Sequence, residues 1–446
     1  MISAEKPARI AVFGLGYVGC VSAACFAERG HEVVGVDVSA EKVAMVAAGR
    51  TPIVEERIGN LISEVVASGR LRATTSAAEA VASTDIALVC VGTPSDPNGG
   101  ISTEYVERVA DEIGAAMATL EDRRYTVVVR STMLPGTCEE RVIPLLEKAS
   151  GLQVGWGFGF AVNPEFLREG SSVLDFHNPP KTVIGEMDVA SGDTVASIYE
   201  GLPGPVYRVP IRVAEMTKYA DNGFHALKVG FANEIGAVCR ALGVDSHSVM
   251  DIFRADTKLN ISPAYLRPGY AFGGSCLPKD LRAILHAARH NDVEVPILAN
   301  VLPSNERTID RAFRLIEAAH HRRVGLFGLS FKTGTDDLRE SPLVELAERL
   351  VGRGYDLLIY DGNVALSRLQ GANRAYVAAR IPHLEHLLAS TPDAVVAHGE
   401  TVVVGSAPSD VLDALGRAEG RTIIDLVRFA GSERLESLGS YFGMAW

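Results

Sequence analysis

One cysteine of this chain lies in a glycine-rich segment that could carry covalent chemistry. Cys276 follows Gly273 and Gly274 and precedes Pro278, a residue suited to the first turn of a helix. A thiol near a helix N-terminus has a lowered pKa and reacts as a thiolate. Such a thiolate could add to an aldehyde and, after hydride loss, form a thioester that water hydrolyses to an acid. Spacing alone leaves open the alternative of a buried structural cysteine.

Two pairs of polar residues at i, i+4 spacing could serve the same reaction. Glu165 and Glu169 follow a predicted strand, and if they are helical they share a face on which one acts as a general base. Lys218 and Asn222 lie on a predicted long helix, where a cation and an amide could together stabilise an oxyanion. Each pair also has a simpler interpretation: charges that cap a helix in the first case, and an exposed polar face in the second.

A glycine motif near the N-terminus is typical of dinucleotide binding. Gly14, Gly16 and Gly19 match G-x-G-x-x-G, which makes a tight turn, admits a pyrophosphate and lets helix and strand pack closely. Asp37 ends the next predicted strand, where an acid binds ribose and would repel a 2′-phosphate, so NAD is favoured over NADP. Lys42 weakens that preference slightly. A glycine turn beside a helix-capping aspartate is the simpler alternative.

Alternating patterns indicate the elements that would position these residues. The N-terminal part shows a β-α-β unit and further buried strands at 86–91, 126–129, 158–162 and 182–185, which predicts a parallel α/β sheet. The loop at Thr93 follows one of these strands and could touch a cofactor, although a plain turn fits equally well.

A helical middle separates this part from a second α/β part. From Ile211 to about Arg254 apolar residues recur at helical spacing, and residues 259–280 form a loop rich in Pro and Gly. A strand then begins at Arg323, and the strand–helix–strand order of the N-terminus returns, ending at Asp361. We therefore predict an α/β fold class with two Rossmann-like domains joined by a long central helix.

Composition excludes several classes of protein. The chain has 446 residues, a length typical of about three domains, and its 47% hydrophobic and 22% charged residues exclude a disordered chain or a coiled-coil rod. Its net charge of −12 argues against a protein that binds nucleic acid or an anionic membrane surface nonspecifically. No membrane span or signal peptide is recognised, so a cytoplasmic protein is expected. The six cysteines form no CxxC pair, and most are expected in the core.

Seven motifs resemble those of the UDP-glucose/GDP-mannose dehydrogenase family. In chain order they are GLGYVG, VGTPS, RSTMLPGT, NPEFLREG, EMTKYADN, FGGSCLPKD and FKTGTDDLRESP, and they cover almost the whole chain. The resemblance implies oxidation of a nucleotide-sugar C6 alcohol to a carboxylate with two NAD and a cysteine nucleophile. It implies an NAD-binding domain at 1–208, a helical linker and dimerisation domain with the thiol loop at 209–319, and a nucleotide-sugar-binding domain at 320–446.

The resemblance also assigns roles to individual residues. For catalysis it implies Cys276 as the nucleophile and Lys218 as the residue that stabilises the C6 oxyanion. Asn222 and Asp280 would position or activate the hydrolytic water and the substrate hydroxyl. Thr132 and Glu165 would hold the same water. Glu165 is also a candidate base for thioester hydrolysis. The residues expected to contact NAD are Gly14, Gly16, Tyr17, Val18, Gly19, Asp37, Lys42, Thr93, Glu169 and Arg339. Those expected to contact the sugar nucleotide are Glu165, Lys218, Asn222, Tyr265, Arg267 and Lys332; no metal is expected.

Two segments indicate which sugar nucleotide is bound. Residues 265–269 and 334–348 resemble the GDP-mannose branch of the family more than the UDP-glucose branch, which implies conversion of GDP-mannose to GDP-mannuronate, a precursor of alginate. One departure affects the segment 53–57, which lacks the Pro-Gly usual after Glu55 and whose loop geometry is therefore in doubt. The alternatives are a UDP-glucose dehydrogenase, a two-electron β-hydroxyacid dehydrogenase that needs no thiol, and a catalytically silent NAD-binding regulator.

Overall fold

The chain divides into two structural units, Met1–Ala226 and Leu227–Trp446. The computed structural model describes residues 7–94, 100–120, 123–262, 265, 268–274, 277–330, 338–362, 364, 384–429, 431–432 and 440–444. Three predicted site residues, Arg267, Cys276 and Lys332, lie outside these described residues. The domain boundaries expected at 208/209 and 319/320 stay a prediction.

The first unit is built on one sheet flanked by helices. Its described strands are Arg9–Phe13 (β1), Glu32–Val36 (β2), Leu71–Thr74 (β3), Ile86–Val89 (β4), Tyr125–Val129 (β5), Phe158–Val162 (β6), Thr182–Glu186 (β7) and Val206–Val209 (β8). The helices are Tyr17–Glu28 (α1), Ala40–Ala47 (α2), Ile58–Ala67 (α3), Ala77–Ser83 (α4), Glu104–Met117 (α5), Ile143–Ser150 (α6), Ser172–His177 (α7) and Val189–Ile198 (α8), with a π-helical turn at Cys138–Val142.

The strand order of this sheet is β3-β2-β1-β4-β5-β6-β7-β8, and its described pairs are parallel except β6 with β7. Alternate side chains of a strand point to opposite faces, so Ile10 and Val12 join one hydrophobic core while Ala11 and Phe13 join another. Helices cover both faces, which explains why central strands such as β4 and β6 are apolar and buried along their whole length.

Four helices follow the first sheet along the chain: Ile211–Ala241 (α9), Ser246–Ala255 (α10), Leu277–His290 (α11) and Pro296–Ala318 (α12). The long helix α9 was expected from its periodicity, and it runs from the first unit into the second. Pro278 lies in the first turn of α11, as predicted. The loop expected over 259–280 therefore ends at least four residues earlier, because this helix begins at Leu277.

The second unit repeats the α/β plan on a smaller sheet. Its remaining elements are Arg323–Phe327 (β9), Pro342–Gly352 (α13), Asp356–Tyr360 (β10), Leu384–Leu387 (α14), Pro392–His398 (α15), Thr401–Val404 (β11), Ser409–Leu415 (α16), Thr422–Asp425 (β12) and Tyr441–Gly443 (β13). The described strands are all parallel in the order β10-β9-β11-β12-β13. The predicted fold class, two Rossmann-like parts with a long helix between them, is confirmed.

The segment that lacks Pro-Gly adopts an unusual backbone. Arg57 precedes α3 as its N-cap with φ 67° and ψ −18°, in the left-handed region. A side chain there clashes with its own carbonyl, whereas glycine carries no such penalty. Arginine therefore adopts a conformation that favours glycine, at the position where the family resemblance leads us to expect one.

Among the residues that the structure describes, no helix combines the length and the apolar character needed to span a bilayer.

Candidate active site

The predicted site residues of the first unit gather at one edge of its sheet. Strands β2, β1, β4, β5 and β6 are adjacent and parallel, so their carboxyl ends meet at that edge. The residues that follow these ends are Asp37 after β2, Gly14 and Gly16 after β1, Thr93 after β4, Thr132 after β5 and Glu165 after β6. The chain order reverses between β1 and β4, and ligands of open α/β sheets bind at such a switch point.

The glycine turn has the geometry that a dinucleotide requires. Gly14 takes φ +96°, and a Cβ on Gly19 would collide with the Gly14 carbonyl oxygen and lie 3.2 Å from Cβ of Cys90. A Cβ on Gly16 would meet no atom within 4 Å, and no side chain caps α1 at this residue. The backbone at Gly16 therefore leaves room for a pyrophosphate at the N-terminus of α1, where helices bind anions. Tyr17 and Val18 form the start of this helix.

Asp37 lies directly beside the glycine turn. Its Oδ2 accepts a hydrogen bond from the Leu15 N–H at 2.7 Å, its Oδ1 accepts one from Ser39 at 2.9 Å, and only 8% of the residue is exposed. Lys42 Nζ lies 3.3 Å from Oδ2 and partly neutralises the carboxylate. An acid fixed next to the pyrophosphate cradle fits the ribose of NAD, so the residues present fit this cofactor.

Two neighbouring loops are joined by hydrogen bonds from hydroxyl side chains. Thr93 Oγ1 donates to the Thr132 carbonyl oxygen at 3.2 Å, and Ser131 Oγ donates to the Val91 carbonyl at 2.6 Å. These bonds tie the loop after β4 to the loop after β5. Thr93 and Thr132 are thus brought together, and both are partly exposed at the sheet edge.

Lys218 and Glu165 form an ion pair that is largely removed from solvent. Lys218 Nζ lies 2.8 Å from Oε1 of Glu165 and also donates to the Glu165 carbonyl oxygen at 2.7 Å, and the side chains are 11% and 13% exposed. The simpler interpretation of Lys218 as part of an exposed polar face is therefore wrong. One turn later on α9, Asn222 is exposed.

The segment that carries Glu165 and Glu169 is not helical, so the two carboxylates do not share a helix face. Glu165 Oε2 instead accepts the Leu167 N–H at 2.7 Å, while Glu169 is exposed. The spacing of four residues suggested a shared helix face, but this interpretation is wrong. Pro164 and the hydrogen bond between the Glu165 side chain and the Leu167 N–H favour an irregular loop.

Cations gather around Phe166 in this loop. Lys181 Nζ lies 4.5 Å and Lys218 Nζ 5.6 Å from the centre of the ring, whose electron-rich face attracts cations. Lys181 also lies 2.6 Å from Asp221. Each of the two lysines is thus paired with a carboxylate, so the cluster places ammonium groups at this edge without adding net charge.

A buried polar network lies behind Glu165. Arg130 Nη1 donates to Asn163 Oδ1 at 2.6 Å and to the Tyr199 hydroxyl at 2.7 Å, and Tyr199 donates to the same Asn163 oxygen at 2.6 Å. Asn163 Nδ2 donates to the Val183 carbonyl at 2.8 Å. Burial raises the pKa of Tyr199, which keeps the hydroxyl neutral as a donor. The network fixes Asn163, two residues before Glu165.

Sequence reasoning missed a second acid that shapes the site. Glu215 is 2% exposed, and its carboxylate accepts the N–H groups of Gly136 at 2.7 Å and Cys138 at 3.0 Å. It therefore anchors the turn that follows Thr132 to helix α9. The sequence signal that could have identified Glu215 was its position in the motif EMTKYADN, one helical turn before Lys218 on α9.

The predicted residues of the second unit that the structure describes lie in α11, before α11 and in the segment before α13. Asp280 lies in the first turn of α11, exposed and 2.8 Å from Lys279 Nζ. Arg339 is partly exposed beside Glu340, which has φ 52° and forms a bidentate pair with Arg282 at 2.7 and 2.8 Å. Tyr265 has φ 63° and is 86% exposed.

The other cysteines are unsuited to nucleophilic chemistry. Cys20, Cys25, Cys90, Cys138 and Cys239 are free and buried, as expected of core residues. Burial raises the pKa of Cys20 and of Cys90 to about 12, so neither ionises near neutral pH. No group of three or more potential metal ligands occurs among the described residues.

The glycine–acid relationship of the first sheet recurs in the second. Gly328 takes φ +93° after β9, and Asp361 Oδ2 after β10 accepts the N–H groups of Leu329 at 2.8 Å and Ser330 at 3.0 Å. This matches the bond from Leu15 to Asp37. Each unit therefore presents an acid next to a glycine turn at its own sheet edge.

Three family models match successive parts of the chain. Residues 8–203 match the UDP-glucose/GDP-mannose dehydrogenase family NAD binding domain, residues 212–307 its central domain and residues 325–429 its UDP binding domain.

Individual relatives are similar over almost the full length. GDP-mannose 6-dehydrogenase of Pseudomonas putida is 52% identical over 422 residues, 94% of this chain and 96% of its own. A ternary complex of GDP-mannose dehydrogenase from Pseudomonas aeruginosa has a TM-score of 0.93 at 48% identity, covering 98% of this chain and 100% of that one. A UDP-glucose dehydrogenase from Pyrobaculum islandicum has a TM-score of 0.55 at 36% identity, covering 99% and 98%.

Proposed function

The chain belongs to the UDP-glucose/GDP-mannose dehydrogenase family and is an NAD-dependent nucleotide-sugar dehydrogenase, and we propose that its substrate is GDP-mannose. The product is GDP-mannuronate, formed by a four-electron oxidation at C6. Two relatives named for GDP-mannose support this choice, at 52% and 48% identity, against 39% and 36% for two relatives named for UDP-glucose. The further proposal of a role in alginate-type polysaccharide synthesis follows from that product.

The observation that carries the chemistry is the Lys218–Glu165 pair, 2.8 Å apart at the sheet edge that holds the dinucleotide cradle. A desolvated ammonium stabilises negative charge on a nearby oxygen much better than an exposed one does. A carboxylate beside it can take a proton from water. This pair thus offers both an oxyanion partner and a base.

The reaction proceeds in two oxidations and a hydrolysis. When bound, NAD accepts the hydride in each oxidation, and two NAD are consumed per sugar. The thiolate of Cys276 adds to the C6 aldehyde to give a thiohemiacetal, and its oxidation leaves a thioester on the same sulfur. Water then cleaves the thioester to release the carboxylate and restore the thiol. Lys218 stabilises the C6 oxyanion at each tetrahedral stage.

Protons are moved by the remaining polar residues. Glu165 takes the proton of the attacking water, which Thr132 helps to hold. Asn222 and Asp280 position the hydroxyl and the water. These roles follow from the family motifs.

The cofactor is bound by the residues around the first glycine turn. The pyrophosphate of NAD is bound by the glycine turn and the start of α1, at Gly14, Gly16, Tyr17, Val18 and Gly19. The ribose is bound by Asp37 with Lys42. The other contacts with NAD are made by Thr93, Glu169 and Arg339. Because Asp37 is an acid, we expect NADP to support at most a small fraction of the turnover seen with NAD.

The sugar nucleotide is bound by Tyr265, Arg267 and Lys332 together with the catalytic residues Glu165, Lys218 and Asn222. We propose a homodimer or a larger homo-oligomer formed through the helical region, and a cytoplasmic enzyme.

Substrate comparison tests the proposal. Purified protein with NAD and limiting GDP-mannose should produce two NADH per sugar, followed by absorbance at 340 nm. Production of one NADH per sugar would contradict the thioester route. Saturable turnover of UDP-glucose without turnover of GDP-mannose would assign the chain to the other branch. NAD binding without turnover of either sugar would indicate a silent regulator.

A further inference from the structure

Glu55 accepts hydrogen bonds from two parts of the first unit that are far apart in sequence. Its Oε2 accepts the Tyr17 hydroxyl and the Gly170 N–H at 2.8 Å, and its Oε1 accepts the Ser172 N–H at 3.0 Å. The Gly170 N–H also lies 3.3 Å from the Tyr17 hydroxyl. Tyr17 belongs to the glycine motif, and Gly170 ends the loop of Glu165 and Glu169. One carboxylate therefore joins the two segments.

These bonds favour the ionised form of Glu55. Burial opposes ionisation, but the hydrogen bonds outweigh it and hold the pKa of the Glu55 carboxyl below its ordinary value. Burial and the bond to Glu55 also raise the pKa of Tyr17, so its hydroxyl keeps the proton that it donates. Hydrogen bonds to an ionised acceptor are stronger than those between neutral groups. The bonds from Tyr17 and Gly170 to Glu55 are therefore strong at neutral pH.

The loop that Glu55 holds has no regular secondary structure of its own. Residues 163–168 form neither helix nor strand, and the loop depends on side chains for its position. At Glu165 it is held by Lys218, and at Arg168 it is held by Asp175, which accepts the Arg168 N–H at 2.9 Å. Glu55 supplies the anchor at Gly170, next to Glu169.

The backbone next to Glu55 carries strain. Arg57, two residues later, takes the left-handed conformation with φ 67°. A non-glycine residue is disfavoured in that conformation because its Cβ lies too close to the following carbonyl oxygen. The turn keeps Glu55 between Tyr17 and Gly170 in spite of that cost, which fits a functional demand on the carboxylate.

We propose that Glu55 is a positioning residue for NAD: it fixes the Glu165–Glu169 loop against the glycine motif through Tyr17. The inference rests on the proposed roles of Tyr17 and Glu169 at the cofactor. Loss of the carboxylate releases the Gly170 end of the loop, so Glu169 loses its fixed place beside the cofactor. The Lys218 anchor at Glu165 remains, so sugar binding is affected much less.

A comparison of Glu55→Gln with wild type tests this. Glutamine has the same side-chain size as glutamate. Its amide nitrogen, however, would face hydrogen-bond donors and cannot accept a hydrogen bond from them. We expect the Kd and KM for NAD to rise about tenfold, the loss that follows from one charge-assisted hydrogen bond, while the KM for GDP-mannose changes less than about twofold. Glu56→Gln, the neighbouring exposed carboxylate, is the matched control and should leave both constants unchanged.

A double-mutant cycle with Tyr17→Phe separates this role from a purely structural one. Because the two residues share the Tyr17–Glu55 hydrogen bond, Tyr17→Phe should weaken NAD binding in wild type, and the loss in the double variant should be smaller than the product of the two single losses. Additive losses, or an altered melting temperature with unchanged NAD constants, would overturn the proposal. If Glu55→Gln fails to fold, Tyr17→Phe alone must still raise the Kd for NAD, and an unchanged Kd contradicts the proposal.

Calorimetric titration with NAD alone keeps this test independent of the sugar. Failure of the wild type to oxidise GDP-mannose would reject the proposed substrate, while the Kd values for NAD would still decide the role of Glu55.

Discussion

Gly273 packs directly against the backbone of Glu340. A Cβ on Gly273 would collide with the Glu340 carbonyl oxygen and lie 2.6 Å from Cδ of Pro342. The Arg282–Glu340 pair joins α11 to the same segment at 2.7 Å. Within the second unit, the start of the thiol motif is thus held against the segment that contains Arg339.

Substitution of Gly273 should therefore disturb this part of the molecule. Gly273→Ala forces the backbone of Glu340 to move, and we expect a loss of more than about 1 kcal/mol in the free energy of unfolding together with a large loss of turnover. Urea unfolding and the NADH assay measure the two effects. Gly269→Ala is the control, since its Cβ would meet only the Leu426 carbonyl oxygen at 3.8 Å. Equal stability of the two variants would contradict the packing argument.

Removal of the Lys218 ammonium should slow catalysis. Lys218→Met keeps most of the side-chain length but leaves the Glu165 carboxylate unpaired, and we expect kcat to fall on the order of 10²–10³-fold. Steady-state NADH formation at saturating sugar measures this. Lys148→Met alters an exposed lysine of α6 and should retain full activity. A fall of less than about fivefold for Lys218→Met would exclude its role at the oxyanion.

Alkylation should distinguish Cys276 from the other thiols. Because the five described cysteines are buried, we expect iodoacetamide to label the folded chain once, at Cys276. Intact mass and peptide mapping would locate the label, and turnover should fall in parallel with it. The Cys276→Ser chain should stay unlabelled under the same conditions. Labelling of Cys90 or Cys138 in the native protein would show that burial does not protect them.

Replacement of Arg57 by glycine should stabilise the protein. Glycine removes the left-handed strain at φ 67°, although it increases the entropy of the unfolded chain, so a net gain of about 0.5–1 kcal/mol is expected. Thermal or urea unfolding would detect it. Arg50→Gly, at an exposed arginine outside the left-handed region, should instead be neutral or destabilising. The argument fails if Arg57→Gly loses stability as Arg50→Gly does.

His31 should make stability depend on pH. Burial, with nearby Arg29, lowers its pKa below the ordinary 6.5, and Nδ1 accepts the Ala8 N–H at 3.0 Å. Below pH 6.5 the unfolded chain gains a proton that the folded site resists, so the free energy of unfolding falls as pH falls from 6.5 through the lower folded pKa. Above 6.5 this contribution is constant.

Urea midpoints at pH 7.5 and 5.5 would measure this effect. His31→Gln keeps an oxygen acceptor for Ala8 but does not titrate, so its loss of stability between the two pH values should be smaller than that of wild type. Identical losses would assign the pH dependence to other groups.

Local sequence patterns predicted most of the secondary structure. This was possible because buried parallel strands and the helices between them differ clearly in hydrophobic period and in composition. The strands at 86–89 and 158–162 lie where the apolar runs predicted them. The short strands β3 and β8 were not predicted, since Leu71–Thr74 and Val206–Val209 are partly polar or exposed and lack that signal. Their place comes from pairing with a neighbouring strand, which is a tertiary property.

The sequence by itself determined the fold class, the dinucleotide motif and the residue types of the site, because spacing within a strand–turn–helix unit is local. Only the tertiary structure decided which polar groups are paired and buried. It joined Lys218 to Glu165, 53 positions apart, and Glu55 to Gly170, 115 positions apart. It also showed that the loop of Glu165 and Glu169 is irregular rather than helical. Hydrogen bonds and desolvation between distant segments set these outcomes, and no local period encodes them.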